Sequence, residues 1–153
     1  MGNEPLPTER DFNPLGDNVD DQHAWKAFGG LTLDQARAKF LENPQYYQED
    51  FMFMGGKAFA YYFPVIEEYL KSAPDGCNDD DSDGDHEAWI LSHCIKQHFE
   101  GADLPHVRHL IPRVIALADF VQGNIGRFGY YEQERKRVAD AWNELIQHVI
   151  AIA

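Results

Sequence analysis

The stretch Phe59-Ala60-Tyr61-Tyr62-Phe63-Pro64-Val65-Ile66-Glu67-Glu68-Tyr69-Leu70-Lys71 decides the fold. Phe59, Tyr62, Phe63, Ile66 and Leu70 recur at i, i+3, i+4, i+7 and i+11, the spacing of a single buried helix face. Glu67 and Lys71, four apart, fall on the wet side, where such a pair supports a helix. Pro64 lies inside the pattern. Because it has no amide hydrogen, it must kink the helix or stand near its start.

Upstream, Thr32 followed three residues later by Gln35 is a capping box, with Asp34 in the first turn where the helix dipole favours a negative charge. Leu33, Ala36, Phe40 and Leu41 supply an apolar stripe, and Pro44 disfavours helix at Asn43, so this helix is predicted over about 33–42. Asp21 to Phe28 reads as a short helix that ends at Gly29-Gly30. Residues 1–20, with Pro5, Pro7, Pro14 and Gly16 and no apolar period, read as an extended N-terminal arm. Downstream, Ala88, Leu91, Ile95 and Phe99 mark a helix from about His86. Val107, Leu110, Ile111, Val114, Leu117, Ala118 and Val121 mark another, interrupted near Pro112. From about Tyr130, Val138, Trp142, Leu145, Val149 and Ile152 mark the last.

No segment alternates cleanly with period two, so the expectation is all-α. It comprises a single domain over 21–153 with about five main helices, two of them kinked near Pro64 and Pro112, no convincing sheet, and an acidic loop at 74–85. The core should contain Phe40, Phe59, Phe63, Ile66, Leu91, Ile95, Leu110, Val114, Trp142, Leu145 and Val149.

At 153 residues the chain can bury a proper core, and 44% hydrophobic with 25% charged residues is a globular balance. No apolar run approaches the roughly 20 residues that span a bilayer. The opening Met1-Gly2-Asn3-Glu4-Pro5-Leu6 has neither a basic region nor an apolar run, so a cytoplasmic protein is expected. A formal charge of −13 argues against nucleic acid and anionic membrane as partners and suits a basic protein.

Chemistry-bearing patterns are few. Asp79, Asp81, Asp83 and Gly84 match the first half of a calcium loop, but its bidentate Glu would fall at Ile90, so a solvated acidic loop is the reading. Cys94 and His98 share one helix face, and His106 and His109 lie i, i+3 on the next segment. Together they are the candidate metal ligands, without the paired motifs of known sites. Cys77 and Cys94 form no C-x-x-C pair. No G-x-S-x-G or glycine-rich phosphate loop occurs, and Glu49-Asp50, as chain neighbours, diverge in direction. No catalytic residue, metal or cofactor is therefore expected.

The irregular run before the deciding helix is richer. Tyr46, Tyr47, Met52 and Met54 stand with Phe51 and Phe53 around Glu49 and Asp50, the composition of a protein-binding patch or of a loop tucked into the core. Here the chain resembles a family of small bacterial proteins of unknown function. The shared pattern is carried by Phe28, Gly30, Thr32, Gln35, Ala36, Phe40, Glu42, Asn43, Tyr47, Glu49, Asp50, Met52, Met54, Gly55, Ala58, Phe59, Tyr61, Tyr62 and Pro64, and spans about residues 28–72. The resemblance transfers no activity. In size and charge such proteins are similar to immunity proteins that neutralise toxins. The functional expectation is a non-catalytic protein-binding module, immunity-like or regulatory, for a basic partner. The alternative is an enzyme of unrecognised type built on a polar or metal-containing pocket.

Overall fold

A computed structural model describes residues 6–13, 19–72, 86–128 and 131–153. Its helices are α1 (Glu9–Phe12), α2 (Val19–Phe28), α3 (Leu33–Glu42), α4 (Pro44–Tyr47), α5 (Asp50–Phe53), α6 (Gly56–Lys71), α7 (His86–His98), α8 (Leu104–Val107), α9 (Ile111–Gly123) and α10 (Glu132–Ile152). Single 3-10 turns stand at Gly101–Asp103, Arg108–Leu110 and Ile125–Arg127, and there is no strand among the described residues. The fold is all-α, with more helices than the five expected, because short one-turn helices replace several segments that read as loops.

The deciding stretch forms α6, which packs against α1, α3, α7, α8 and α9. Pro64 stands in its interior, not at its start. The missing amide costs one helical hydrogen bond, and burial of Phe59, Tyr62, Phe63, Ile66 and Leu70 on the inner face offsets the loss. The Tyr62 hydroxyl donates to the carbonyls of Phe28 (2.9 Å) and Leu31 (2.7 Å), fastening α6 to the turn between α2 and α3. Gly30 takes a left-handed φ of 77° in that turn. At Gly29, a Cβ would lie 2.3 Å from Trp25 Cε3. Glu67 turns to Arg113 of α9 rather than along its own helix to Lys71.

Helix α3 has the bounds its caps predict. Gln35 N–H donates to Thr32 Oγ1 (3.2 Å) and Thr32 N–H to Gln35 Oε1 (2.9 Å). Leu41, however, is 56% exposed. The helix buries only Ala36 and Phe40, four apart, and Leu41 is rotated about 100° from Phe40, out of that narrow stripe.

Two further expectations are corrected. The N-terminal segment is not extended over its described part: Thr8 and Asp11 form a capping box for α1. Phe12 is completely buried there, 5.3 Å from Trp25 and 5.9 Å from Tyr62 between ring centroids. Pro112 does not interrupt a helix; it sits in the first turn of α9, where its absent amide hydrogen would have no partner in any case.

The C-terminal half is held by α10, which packs on α7 and α9. Val138, Trp142, Leu145 and Val149 face inward at 4, 3 and 4. Trp142 Nε1 donates to the Ala88 carbonyl (3.0 Å), and Ser92 Oγ to the Ala141 carbonyl (2.9 Å). All of the core residues expected from spacing are fully buried. No helix among the described residues is long and apolar enough to cross a membrane.

Candidate functional site

Asn43 and Pro44 set the local geometry of the aromatic run. Asn43 Oδ1 caps α4 by accepting from Tyr46 N–H (3.2 Å), and Pro44 opens the helix. Two one-turn helices in succession then throw successive side chains to opposite sides. Gln48, Asp50, Phe51 and Met54 are buried, Tyr47, Met52 and Phe53 are half-buried, and Tyr46 and Glu49 are exposed. Phe51 anchors the segment, with ring centroids 5.3 Å from both Phe28 and Phe40. The candidate patch is thus narrower than its composition suggests. Met54 and Asp50 face inward, and the outer surface is Tyr46 and Glu49 with the edges of Tyr47 and Met52.

Tyr46 is 59% exposed yet held on two sides. Tyr47 meets it edge-on at 4.9 Å, and His23 of α2 does so at 5.9 Å. The Tyr46 hydroxyl lies 3.3 Å from His23 Nε2, while His23 Nδ1 lies 2.7 Å from Asp50 Oδ1. An ionised Asp50 can only accept, so the Nδ1 nitrogen carries a proton, and in the neutral ring Nε2 accepts from Tyr46. Burial pushes the Asp50 carboxyl above its ordinary value, and the hydrogen bond and charge of His23 only partly pull it back. Asp50 Oδ2 is buried with no hydrogen-bond partner among the described residues. Lys39 stands 5.5 Å over the Tyr47 ring.

Sequence reasoning missed His23. It lies 27 residues from Asp50, on a helix with no local motif, and only the packing of α2 on α5 brings the two together.

The metal candidates separate. His98 is fully buried, stacked 4.1 Å from Phe59, with Nδ1 2.9 Å from Asp103 Oδ2 and Nε2 2.6 Å from the Phe51 carbonyl. Cys94 Sγ donates to the Gln48 carbonyl (3.4 Å), and burial pushes its thiol up. Both side chains therefore pin the α4–α5 segment to α7. His106 and His109 are exposed on a different face. Among the described residues no group of three or more His, Cys, Asp or Glu side chains is placed to hold a metal. Asp79, Asp81, Asp83, Cys77 and the acidic loop at 74–85 lie outside the described residues.

Asp103 accepts from Gly56 N–H (3.3 Å) as well as facing His98. Burial pushes its carboxyl up, but His98 and the Gly56 amide outweigh this and hold it below the usual range. Asp21, by contrast, is pushed up to about 6 by burial and by the charges of Asp103 and Asp20. The chain matches no protein-family model, no curated protein and no solved structure.

Proposed function

We propose that this is a non-catalytic protein-binding module, regulatory or immunity-like, that acts in the cytoplasm on a basic partner through the Tyr46–Glu49 surface. The observation that carries the reading is Tyr46. It is a large amphipathic side chain, 59% exposed yet fixed by His23 and Tyr47, so it can enter a partner's pocket with little loss of rotamer freedom. Glu49 beside it and the net charge of −13 supply the attraction for a positive surface and speed its encounter.

The test is capture from native lysate at low and high salt, comparing wild type with Tyr46→Ala and Glu49→Lys after each variant is shown to fold by circular dichroism. Loss of one basic partner in both variants, with salt-sensitive capture by the wild type, is the expected result. Folded variants that retain every partner overturn the proposal.

A second reading rests on the Asp50–His23–Tyr46 chain, in which a buried carboxylate orients an imidazole whose outer nitrogen accepts from the partly exposed Tyr46 hydroxyl, an arrangement suited to a general base acting through that hydroxyl. Its signature is a turnover lost in His23→Gln and unaffected by Glu49→Lys.

A further inference from the structure

On another face, α1, α6, α8 and α9 enclose a groove of about 660 Å³. Lys57 from α6, His106 from α8 and His109 from the following 3-10 turn converge on it from separate segments. In a chain with 26 acidic and 13 basic residues, such convergence runs against the overall charge. Elsewhere Arg37 is paired with Asp34 and Glu68, and Lys136 with Asp140. Lys57 and His109 have no ion-pair or hydrogen-bond partner among the described residues. The carboxylate in the lining, Asp11, already accepts from Thr8 N–H (2.9 Å).

From these observations we propose that the groove binds a small organic phosphate monoester, its phosphate held by Lys57, His106 and His109. Donors arriving from three segments suit a compact dianion with oxygens on several sides better than a planar carboxylate. Leu33, Tyr61 and Pro64 form an apolar wall for the carbon part. Arg113 stiffens the rim, ion-paired to Glu67 and lying 5.3 Å over the Phe63 ring. The volume is that of a small-molecule site. A polymeric anion such as RNA would meet the acidic remainder of the surface and be repelled, so the ligand is small.

The probes are phenyl phosphate, inorganic phosphate and benzoate, each titrated while the His106 and His109 ring resonances are followed by NMR. Phenyl phosphate should give saturable shifts with Kd below about 1 mM. Lys57→Gln, at an exposed position that leaves the core untouched, should weaken binding by about tenfold or more. A double His106→Gln/His109→Gln variant, read by calorimetry, should abolish it. Failure to saturate below about 10 mM, or unchanged affinity in both variants, overturns the site. Benzoate binding as tightly as phenyl phosphate overturns the phosphate assignment, and inorganic phosphate doing so overturns the organic part.

Discussion

The pairing of His23 with Asp50 makes a quantitative demand on stability that a double-mutant cycle can measure. The bond is 2.7 Å long and joins an imidazole 50% exposed to a carboxylate only 5% exposed. A charge-assisted hydrogen bond is worth about 1.5–3 kcal/mol, reduced here to about 1–2 kcal/mol because His23 is half in water. His23→Ala strips Asp50 of this partner while Oδ2 has none among the described residues, so it should cost about 2 kcal/mol. Asp50→Asn removes the buried charge and should cost less, about 1 kcal/mol. The double variant should then be more stable than the sum of single effects implies, with a coupling of about 1–2 kcal/mol in urea unfolding at neutral pH. The sign with pH is also set. Burial raises the Asp50 carboxyl above its ordinary 3.8, so its contribution to folding is fully present below that value and is lost as pH rises through the raised one. Asp50→Asn should therefore gain on wild type between about pH 4 and about pH 8. A coupling below about 0.5 kcal/mol would refute the claim that the pair holds the site together.

Asp21 offers a second pH test. Its carboxyl rises from 3.8 to about 6, so the stability it lends is present below about 3.8 and lost as pH climbs through 6. Asp21→Asn should be about 1 kcal/mol more stable than wild type at pH 8, after discounting for partial exposure, and no more stable at pH 3.5; equal differences at both pH values contradict the reasoning. Tyr62→Phe removes the hydroxyl donor from the part-buried Leu31 carbonyl, while the Phe28 carbonyl keeps the Leu31 N–H, and should cost about 1 kcal/mol, seen as a Tm drop of about 2–4 °C by circular dichroism; a drop under about 1 °C would show the hydroxyl idle. Gly29→Ala drives a methyl against Trp25 and should lower stability by about 1–3 kcal/mol in urea titration, whereas a neutral result means that the turn relaxes at little cost.

Much of the fold is legible locally. Thr32, Gln35 and Pro44 bound α3 because caps and prolines act through neighbouring backbone groups, and the inward faces of α6 and α10 follow from spacing alone. What escapes depends on tertiary contact. Phe12 looks like an isolated apolar residue among prolines until Trp25 and Tyr62 enclose it. Pro112 has two meanings, breaking a helix or beginning one, and the helical turns on either side of it hide the difference. Around the site, Tyr46 and Glu49 are visible as composition, but which of Asp50, Met52 and Met54 faces outward depends on two one-turn helices that no period describes. His23 is invisible in sequence because its meaning lies in a partner on α5.

The interleaving of buried and exposed side chains between Asn43 and Met54 has an evolutionary consequence. Inward positions such as Phe51, Met54 and Asp50 are bound to the core, while Tyr46 and Glu49 carry almost none of its packing. A lineage can therefore rewrite the outer letters one mutation at a time, exchanging anchor size or charge sign, while the scaffold beneath stays intact. Exposed anchor and buried scaffold are written in the same dozen residues yet drift at separate rates, so related chains should diverge faster at Tyr46 than at the inward Asp50, Phe51 and Met54.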